Sequence, residues 1–382
     1  MEISVLNPFF YPYGGGTENV LLEIYRRLAK KHNITIISGS LKSNQKTTYD
    51  EIFGIKIIRL KAHYTHIPGA PLPFLKMDEL NKTLLKEHSD VYHINNRYQY
   101  FMNNVRTITS INKRIVLTIH NSLPKNIDFA TDFAALFYDK FEGRKIMHAV
   151  DAITCVSKYA MDVTVPQVDK QKALVIYNGI DYNRYKKREK SNEIVSDIIN
   201  KNNLDGFVIF NNGRLVTQKG QIYLIRAFRE FIKKYDATLL IVGNGPLKSN
   251  ILNLIKKLGL ENNIVLTGGL REEIMPYYYN ASDMFVLPSL YEPFGMALIE
   301  SLSSELPTIA TKIGGIPEIM EKDGVYVKPN NYIDIYNKMI YTYEKIDIMG
   351  KKSKAARKRI IKKFDWDLIS KKYESLFYEL VK

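Results

Sequence analysis

The amino-acid sequence predicts an α/β protein in which two Rossmann-like domains face each other across a cleft. The length of 382 residues is more than one hydrophobic core usually supports, so two domains are expected. Short apolar runs alternate with longer helical stretches along the chain, which is the pattern of parallel strands joined by crossover helices. The alternation stops over residues 183–205, which are polar and rich in lysine and asparagine, and then resumes.

The first half of the chain opens with a strand, a glycine-rich loop and a helix. The strand is expected at Ile3–Leu6 and the helix from Thr17 to about Lys31, with Thr17 as its N-cap. Several later runs are apolar at every position, as in strands covered by helices on both faces. The strands expected there are Ile34–Ser38, Ile55–Leu60, Val91–Ile94, Ile115–Ile119, Ala152–Val156 and Ala173–Ile176.

The second half of the chain repeats this alternation. Its strands are expected at Phe207–Asn211, Thr238–Val242, Ile264–Thr267, Met284–Leu287 and Thr308–Ala310. We therefore expect a first domain over residues 1–180, a linker over 181–205 and a second domain over 206–362. The terminal helix, over 363–382, is expected to join the first domain.

The composition is that of a soluble globular protein, with 45% hydrophobic and 25% charged residues. A single cysteine, Cys155, excludes an internal disulfide framework and suits a reducing compartment. No apolar run approaches the roughly 18 residues of a membrane-spanning helix, and the first residues lack the pattern of a signal peptide. We therefore expect a cytoplasmic protein.

Two basic clusters stand out within the net charge of +15. Such clusters are either solvated helix faces or sites for anionic partners. An anionic membrane surface would hold the protein peripherally on the inner face of the cell membrane. We expect no nucleic-acid partner, because the chain has no zinc-ligand spacing, ribonucleoprotein aromatic motif or basic zipper. The clusters are Arg26, Arg27, Lys30 and Lys31, and Lys351, Lys352, Lys354, Arg357, Lys358, Arg359, Lys362 and Lys363.

The segment from Tyr291 to Ser301 carries the strongest chemical signal. A Pro-Phe-Gly loop leads directly into an apolar helix, whose first free amides form an anion site with the positive end of the helix dipole. Glu292 and Glu300 flank this helix start, roughly 12 Å apart if the stretch is helical. With this spacing, one carboxylate could bind the hydroxyls of a sugar and the other the hydroxyls of a ribose, with a diphosphate between them. The alternative is a helix-terminal acid and a salt-bridged helix acid.

Two cations lie five residues apart in Gly213-Arg214-Leu215-Val216-Thr217-Gln218-Lys219-Gly220, after the first strand of the second domain. Cations on such a loop can bind a diphosphate from two sides and stabilise its charge as it departs. The alternative is a pair of surface cations. In the first domain, the glycines of Gly14–Gly16 would let the backbone approach a diphosphate or sugar closely, although a tight turn would also explain them.

These segments resemble the motifs of the retaining family 4 glycosyltransferases. These group 1 enzymes, typified by glycogen synthase and phosphatidylinositol mannosyltransferase, have the GT-B fold. The resemblance lies in the E-x7-E stretch from Glu292 to Glu300 and in the G-R-L-x-x-x-K-G stretch from Gly213 to Gly220. It covers nearly the whole chain, most strongly over 207–327 and most weakly over 40–90 and 122–150.

The resemblance implies the transfer of a hexose-type sugar, with retained anomeric configuration, from a nucleotide-diphosphate sugar. The first domain would bind the acceptor, a hydroxyl of a lipid, glycan or small molecule, and the second domain the donor. A UDP-sugar is the favoured donor and GDP-mannose the second. No metal and no other cofactor is expected.

The resemblance also implies roles for individual residues. Glu292 would hold the donor sugar, Glu300 the ribose, and Arg214 and Lys219 the phosphates. His120, which follows a buried strand, would contact the donor sugar and complete the catalytic set. The remaining donor-binding residues would be Gly15, Gly16, Gly245, Gly268, Leu270, Phe294, Gly295, Met296, Ala297 and Leu298.

Two other functions stay open at this point. A nucleotide-sugar epimerase has the same fold and would bind a similar donor, and an inactive nucleotide-sugar-binding protein would keep the site without the reaction. His93 ends another strand and is either an acceptor-side residue or a structural histidine. The acceptor itself would be bound by first-domain aromatic residues, of which the candidates are Tyr64, Tyr98, Tyr100, Phe101 and Phe129.

Overall fold

The computed structural model describes residues 1–64, 73–95, 108–109, 113–121 and 143–382. The chain forms two compact units: Met1–Gly179 with Trp366–Lys382, and Ile180–Asp365. Residues 181–205 belong to the second unit and contain the helix Glu193–Lys201, so the expectation of a separate linker was wrong. The physical reason is that Val195 and Ile198 on this helix are buried.

The first unit contains an eight-stranded sheet. The strand order is β10-β9-β8-β7-β1-β2-β4-β3, and all neighbours are parallel except β3, which pairs antiparallel with β4. A separate antiparallel pair is formed by β5 and β6. The strands are β1 Glu2–Leu6, β2 Asn33–Gly39, β3 Thr48–Ile52, β4 Ile55–Leu60, β5 Ala62–Tyr64, β6 Pro73–Leu75, β7 Val91–Asn95, β8 Arg114–Ile119, β9 Ala152–Cys155 and β10 Ala173–Val175.

The described helices of the first unit are α1 Gly16–Leu28, α2 Met77–Glu87, α3 Arg144–Ala149 and α4 Lys158–Thr164, with a 3-10 helix at Gln167–Lys172 and the terminal helix Trp366–Val381. The α1 helix begins one residue earlier than expected. Gly15 is its N-cap in an extended conformation and no side chain caps it, so the prediction of Thr17 as N-cap was wrong. The helix also ends at Leu28 rather than near Lys31.

The second unit contains a six-stranded sheet that is parallel throughout. Its order, β13-β12-β11-β14-β15-β16, is the 3-2-1-4-5-6 order of the doubly wound Rossmann fold. The direction of winding therefore reverses between β11 and β14. The strands are β11 Phe207–Asn212, β12 Ala237–Val242, β13 Ile264–Gly268, β14 Met284–Leu287, β15 Thr308–Thr311 and β16 Val325–Val327.

Helices cover both faces of the second sheet, and the core contains buried residues such as Ile209, Leu239 and Val286 on strands and Phe228 and Met339 on helices. This arrangement confirms the predicted parallel α/β unit. The helices are α5 Glu193–Lys201, α6 Gln221–Phe231, α7 Lys248–Leu258, α8 Met275–Asn280, α9 Met296–Ser303, α10 Ile316–Met320, α11 Tyr332–Glu344 and α12 Ile346–Phe364, with a 3-10 helix at Thr217–Lys219.

Candidate functional site

The two loops with the strongest sequence signals lie at the switch point of the second sheet. One follows β11 and contains Arg214 and Lys219, and the other follows β14 and contains Glu292. In a doubly wound sheet the connections after these two strands pass to opposite faces, which leaves a crevice at their carboxyl ends. The topology thus brings these sequence motifs to the place where such sheets bind ligands.

Lys219 and Glu292 form an ion pair at this switch point. The Nζ atom of Lys219 lies 2.6 Å from Oε2 of Glu292, and Oγ of Ser289 donates to the same oxygen at 3.2 Å. Glu292 is only 7% exposed, so its charge needs these partners. The ammonium has three N–H donors, and one of them serves Glu292, so Lys219 can bind a phosphate oxygen while it holds the carboxylate.

Backbone contacts hold the two loops together. The carbonyl of Gln218 accepts a hydrogen bond from the Leu290 amide at 2.7 Å. Gly220 has φ of 67°, and a Cβ there would collide with the Pro288 carbonyl oxygen. Glycine is therefore required beside Lys219 for conformation and for space. The flanking glycine of the motif serves to bring the lysine loop against the glutamate loop.

Arg214 is exposed on the same loop, in contrast to Lys219, whose side chain is 24% exposed. The Arg214 carbonyl accepts a hydrogen bond from Nε2 of Gln221 at 3.1 Å, which fixes the backbone beneath the side chain. The interpretation of both residues as ordinary surface cations is wrong for Lys219.

The α9 helix begins where Gly295 takes φ of 116° and ψ of 66°. Among the hydrogen bonds of the described residues, the amides of Met296 and Ala297 have no backbone acceptor, as expected for a helix start. The Leu298 amide instead donates to the Gly295 carbonyl at 3.1 Å. Leu298, which was expected among the donor-binding residues, therefore offers no free amide, because its amide closes the first helical turn.

Phe294 was expected among the donor-binding residues, and the structure does not support a side-chain contact. Its ring is 3% exposed and packs edge-on against Phe364 of α12, with ring centroids 6.0 Å apart. Burial of an aromatic ring anchors this loop to the helix behind it. The side chain therefore holds the Pro-Phe-Gly turn in place rather than lining the site.

A third loop, after β15, packs on the glutamate loop. The Gly315 amide donates to the Glu292 carbonyl at 3.0 Å. Gly314 has φ of 52°, and a Cβ atom at Gly314 would collide with the same carbonyl oxygen. Glu292 is thus fixed through its side chain by the lysine loop and through its backbone by this third loop.

Among the described residues, Glu300 is bound by phenols and forms no salt bridge. The hydroxyl of Tyr279 donates to Oε2 of Glu300 at 2.8 Å, and Tyr185 also hydrogen-bonds to the carboxyl group. Burial raises the pKa of Glu300 from 4.5 to about 7, against the lowering effect of Tyr279. The alternative of a salt-bridged helix acid is therefore wrong, and sequence reasoning missed both tyrosines.

The remaining glycines of the second unit lie in the loops after β12 and β13. A Cβ at Gly245 would collide with the backbone of Leu215. Gly245 therefore allows the loop after β12 to approach the lysine loop, which contains Arg214 and Lys219. Gly268 has φ of 79° and lies beside the side chain of Asn244. Leu270, two residues further, is half-buried. These residues surround the same carboxyl edge of the sheet as Lys219.

In the first unit, His120 follows β8 and is 8% exposed. Its Nε2 lies 3.0 Å from Oδ1 of Asn95, whose own amide donates to the His93 carbonyl at 3.4 Å. Burial lowers the pKa of His120 to about 4, so the ring is neutral at pH 7. Because Oδ1 only accepts, Nε2 carries the proton and Nδ1 is left as an acceptor.

His93 is a structural histidine. It is fully buried, its Nδ1 is hydrogen-bonded to the Tyr25 hydroxyl, and its Nε2 lies 2.5 Å from Oγ1 of Thr118. Burial, with a smaller effect from His120, lowers its pKa to about 3. The hypothesis that His93 is an acceptor-side residue is therefore wrong.

The glycine-rich loop of the first unit precedes α1. Gly16 is exposed with nothing within 4 Å of where a Cβ would be, whereas Gly15 leaves room for the carboxylate of Glu18. Asn7 donates to that carboxylate at 3.0 Å. Of the aromatic candidates, Tyr64 is half-buried and hydrogen-bonded to the Ser40 carbonyl. The other candidates, Tyr98, Tyr100, Phe101 and Phe129, lie outside the described residues.

The basic clusters are partly used inside their own units. Arg27 pairs with Glu23 and Asp367, and Lys31 with Glu374. On α12, Arg357 donates to the carbonyls of Tyr182 and Tyr185, while Arg359 binds Asp323 and Lys363 binds Glu321. The exposed members on α12 are Lys351, Lys352, Lys354, Lys358 and Lys362.

Within the described ranges, no three histidine, cysteine, aspartate or glutamate side chains are grouped closely enough to hold a metal ion. In the part of the chain that the structure describes, no helix combines the length and the apolar character needed to cross a bilayer.

Comparison with known proteins finds relatives over nearly the whole chain. The chain is 24% identical over 381 residues to N-acetyl-alpha-D-glucosaminyl L-malate synthase of Bacillus anthracis, covering 97% of this chain and 96% of that protein. A glycosyltransferase from Rickettsia africae ESF-5 matches with a TM-score of 0.79 at 22% identity, over 100% of this chain and 99% of that one. Anabaena HepE in complex with UDP-glucose matches with a TM-score of 0.77 at 20% identity, over 99% of each chain.

The structural likenesses confirm the predicted GT-B fold class with two Rossmann-like domains. Residues 14–184 match the family described as Glycosyltransferase Family 4, and residues 195–362 match the family described as Glycosyl transferases group 1. These two matches take in most of the chain, and the chain belongs to the family 4 type of glycosyltransferases.

Proposed function

We propose that the protein is a metal-independent, retaining glycosyltransferase that moves a hexose-type sugar from a nucleotide-diphosphate sugar to an acceptor hydroxyl. One observation carries the proposal. Lys219, the buried Glu292 and the start of α9 meet at the switch point of the second sheet. This is where a doubly wound sheet binds a nucleotide, and the groups present suit a diphosphate and a sugar.

The proposed reaction breaks the bond between the anomeric carbon and the diphosphate oxygen. Lys219, Arg214 and the amides of Met296 and Ala297 would stabilise the negative charge that develops on the departing diphosphate. Because these groups supply positive charge directly, the reaction needs no divalent metal. The acceptor oxygen bonds to the anomeric carbon on the face that the diphosphate leaves, and its proton passes to the diphosphate.

Glu292 and His120 would position the sugar. The Glu292 carboxylate, fixed by Lys219 and Ser289, can accept hydrogen bonds from sugar hydroxyls and stabilise positive charge near the anomeric carbon. The neutral His120 ring offers Nδ1 as an acceptor for a hydroxyl, and its low pKa makes it a weak base. It therefore binds the substrate without removing a proton from it.

A UDP-sugar is the proposed donor. HepE, which shares the fold, is known in complex with UDP-glucose, and this supports uridine over guanosine for the present chain. The relative from Bacillus anthracis is named for an L-malate product, which supports a small hydroxy acid among the acceptors to be tested. Lipid and glycan hydroxyls complete the acceptor set.

We also propose a peripheral position on an anionic membrane surface, on the cytoplasmic side. Lys351, Lys354, Lys358 and Lys362 are exposed and recur at intervals of three and four residues, so they share one face of α12. Each lysine near an anionic bilayer contributes about 1 kcal/mol. The first basic cluster contributes less, because Arg27 and Lys31 are paired with acids.

A thermal-shift screen of nucleotide sugars, followed by product analysis with the best donor, tests the proposed function. We expect a UDP-sugar to raise the melting temperature, and a glycoside with the donor's anomeric configuration to form when an acceptor is added. A new nucleotide sugar formed without acceptor would instead identify an epimerase. Donor binding without turnover in the presence of any acceptor tested would identify a binding protein. A product with inverted anomeric configuration would contradict a retaining mechanism.

A further inference from the structure

The hydroxyl of Tyr279 links Glu300 to the start of the helix that carries it. This hydroxyl lies 2.8 Å from Oε2 of Glu300, 3.1 Å from the Ala297 carbonyl oxygen and 3.3 Å from Nδ2 of Asn212. Tyr279 is fully buried on α8, and Asn212 is the last residue of β11. A single phenol therefore contacts the switch-point strand, the helix start and the carboxylate.

The numbers of donors and acceptors on these groups determine which group donates in each hydrogen bond. The Asn212 amide donates to the phenol oxygen, so the one proton of the phenol is available to acceptors only. Both remaining neighbours are acceptors, namely the ionised Glu300 carboxylate and the Ala297 carbonyl, and they share this one proton. The Tyr279 hydroxyl thus hydrogen-bonds to the Glu300 carboxyl group from the protein interior. The hydroxyl of Tyr185 also hydrogen-bonds to this carboxyl group.

We infer that Tyr279 is a positioning residue that orients the Glu300 carboxylate toward the ribose hydroxyls and makes the site selective for ribonucleotides. The inference rests on the proposed function, in which Glu300 holds the ribose, and it adds the residue that makes this contact possible. An anchored carboxylate loses little rotamer entropy when it accepts two hydroxyl hydrogen bonds.

The charge of Glu300 depends on the groups around it. Tyr279, Tyr185, Arg184 and Glu272 all act on the carboxyl group, and burial raises its pKa to about 7. The bond from Tyr279 lowers this pKa, because it stabilises the charged form. Affinity for the ribose diol should therefore increase from pH 6 to pH 8. Loss of the phenol hydroxyl should move the midpoint to a higher pH.

Calorimetric titration with UDP and with 2′,3′-dideoxy-UDP tests the inference, because the pair differs only in the ribose hydroxyls. We expect the wild type to bind UDP at least roughly 10-fold more tightly than the dideoxy form. Tyr279→Phe should weaken UDP binding by about 10-fold and leave dideoxy-UDP binding unchanged. Tyr278→Phe, a buried tyrosine one residue away on the same helix, is the matched control and should change neither affinity.

Two further measurements separate positioning from a general structural role. Tyr279→Phe should add no further loss of UDP affinity in a Glu300→Gln background, since both changes remove the same contact. The ratio of UDP to dideoxy-UDP affinity should rise with pH, with a higher midpoint in Tyr279→Phe. Taking the ratio cancels the titration of the phosphates.

Three results would overturn the inference. Equal losses for UDP and dideoxy-UDP in Tyr279→Phe would mean that the phenol only supports folding. Equal wild-type affinities for the two ligands would mean that Glu300 does not hold the ribose, while nucleotide binding itself stands. GDP and its dideoxy form are titrated in parallel, and failure of both nucleotides to bind would overturn the proposed function together with this inference.

Discussion

At the residue scale, the site depends on the ion pair between Lys219 and Glu292. The Glu292 carboxylate is almost fully buried and the Lys219 side chain is partly exposed. The ammonium group can therefore contact the carboxylate and a ligand at the same time. Removal of the lysine would leave a buried carboxylate with no cation beside it and only the Ser289 hydroxyl as donor, and would also remove the cation proposed to bind the diphosphate.

We expect Lys219→Ala to lower kcat/KM at least about 100-fold, the usual effect of losing one group that stabilises transition-state charge. Steady-state kinetics with the best nucleotide sugar measures this. Lys256→Ala, an exposed lysine on α7, is the control and should leave kcat/KM unchanged. An unchanged kcat/KM in Lys219→Ala would show that this cation has no part in the reaction.

Motif spacing marked Glu292 and Lys219 as candidate site residues, and the structure brings the two together, but the sequence could not predict the contacts of Tyr279. This tyrosine lies in Met275-Pro276-Tyr277-Tyr278-Tyr279-Asn280, where nothing local distinguishes it from its neighbour Tyr278. Its function comes from contacts with Glu300 and Asn212, which are distant in the sequence. Motif residues could be recognised because their roles recur at fixed spacing, whereas a supporting residue is defined by the tertiary structure.

At the element scale, the start of α9 is set by the backbone of Gly295. Its φ of 116° is strained for a residue with a side chain, and a Cβ would lie 3.4 Å from the Leu298 side chain. Among the described residues, the amides of Met296 and Ala297, which follow this glycine, have no backbone acceptor. Gly295 therefore joins the glutamate loop directly to the helix start.

We expect Gly295→Ala to destabilise the second unit by about 1–3 kcal/mol and to weaken nucleotide binding, because the helix start must rearrange. Gly350→Ala is the matched control. Gly350 lies inside α12 with nothing within 4 Å of its Cβ position, so alanine should stabilise the protein by about 0.5–1 kcal/mol. Denaturant unfolding and calorimetry measure both. Equal stability of the two variants would contradict this account of Gly295.

Strands that belong to clear apolar runs could be predicted, whereas one polar strand and three very short strands were missed. Each expected strand is present, with its ends within one residue of the expected positions. The strands that were missed are β3, β5, β6 and β16. The β3 strand is mostly exposed and reads Thr-Tyr-Asp-Glu-Ile, and the others are three residues long. A strand is easiest to recognise from the sequence when its apolar run extends over several residues.

At the scale of the whole molecule, the buried histidines of the first unit and Glu300 of the second unit should respond to acid in opposite ways. His93 and His120 in the first unit have pKa values lowered by burial to about 3 and about 4. Their contribution to stability is complete above pH 6.5 and is lost as the pH falls toward 4, because the unfolded chain binds the protons first. Glu300 in the second unit has a raised pKa of about 7, so its burial is less costly at pH 5 than at pH 7.5.

Trp366 is the only tryptophan and belongs to the first unit, so its fluorescence reports the unfolding of that unit. We expect the first unit to lose about 2 kcal/mol per buried histidine between pH 7.5 and pH 5, and its melting temperature to fall. Val168→Ala, at an exposed residue of the first unit that does not titrate, is the control and should melt with the same pH dependence as the wild type. A melting temperature that is equal or higher at pH 5 would contradict the assignment of neutral, buried histidines.

The lysine face of α12 should bind acidic lipid. Replacing Lys351, Lys358 and Lys362 together by glutamine should weaken sedimentation with anionic vesicles by about 100-fold, at about 1 kcal/mol per lysine. Replacement of Lys256 and Lys257 by glutamine is the control and should have little effect. Equal binding of the wild type to vesicles with and without acidic lipid would show that the lysine face is only solvated.

The measurement that tests the central claim most directly is a crystal structure of the protein with UDP bound. We predict that the diphosphate lies at the start of α9, within hydrogen-bonding distance of the amides of Met296 and Ala297 and of Nζ of Lys219, with the ribose hydroxyls on Glu300. A diphosphate bound elsewhere, with these amides and Lys219 contacting only water, would contradict the account.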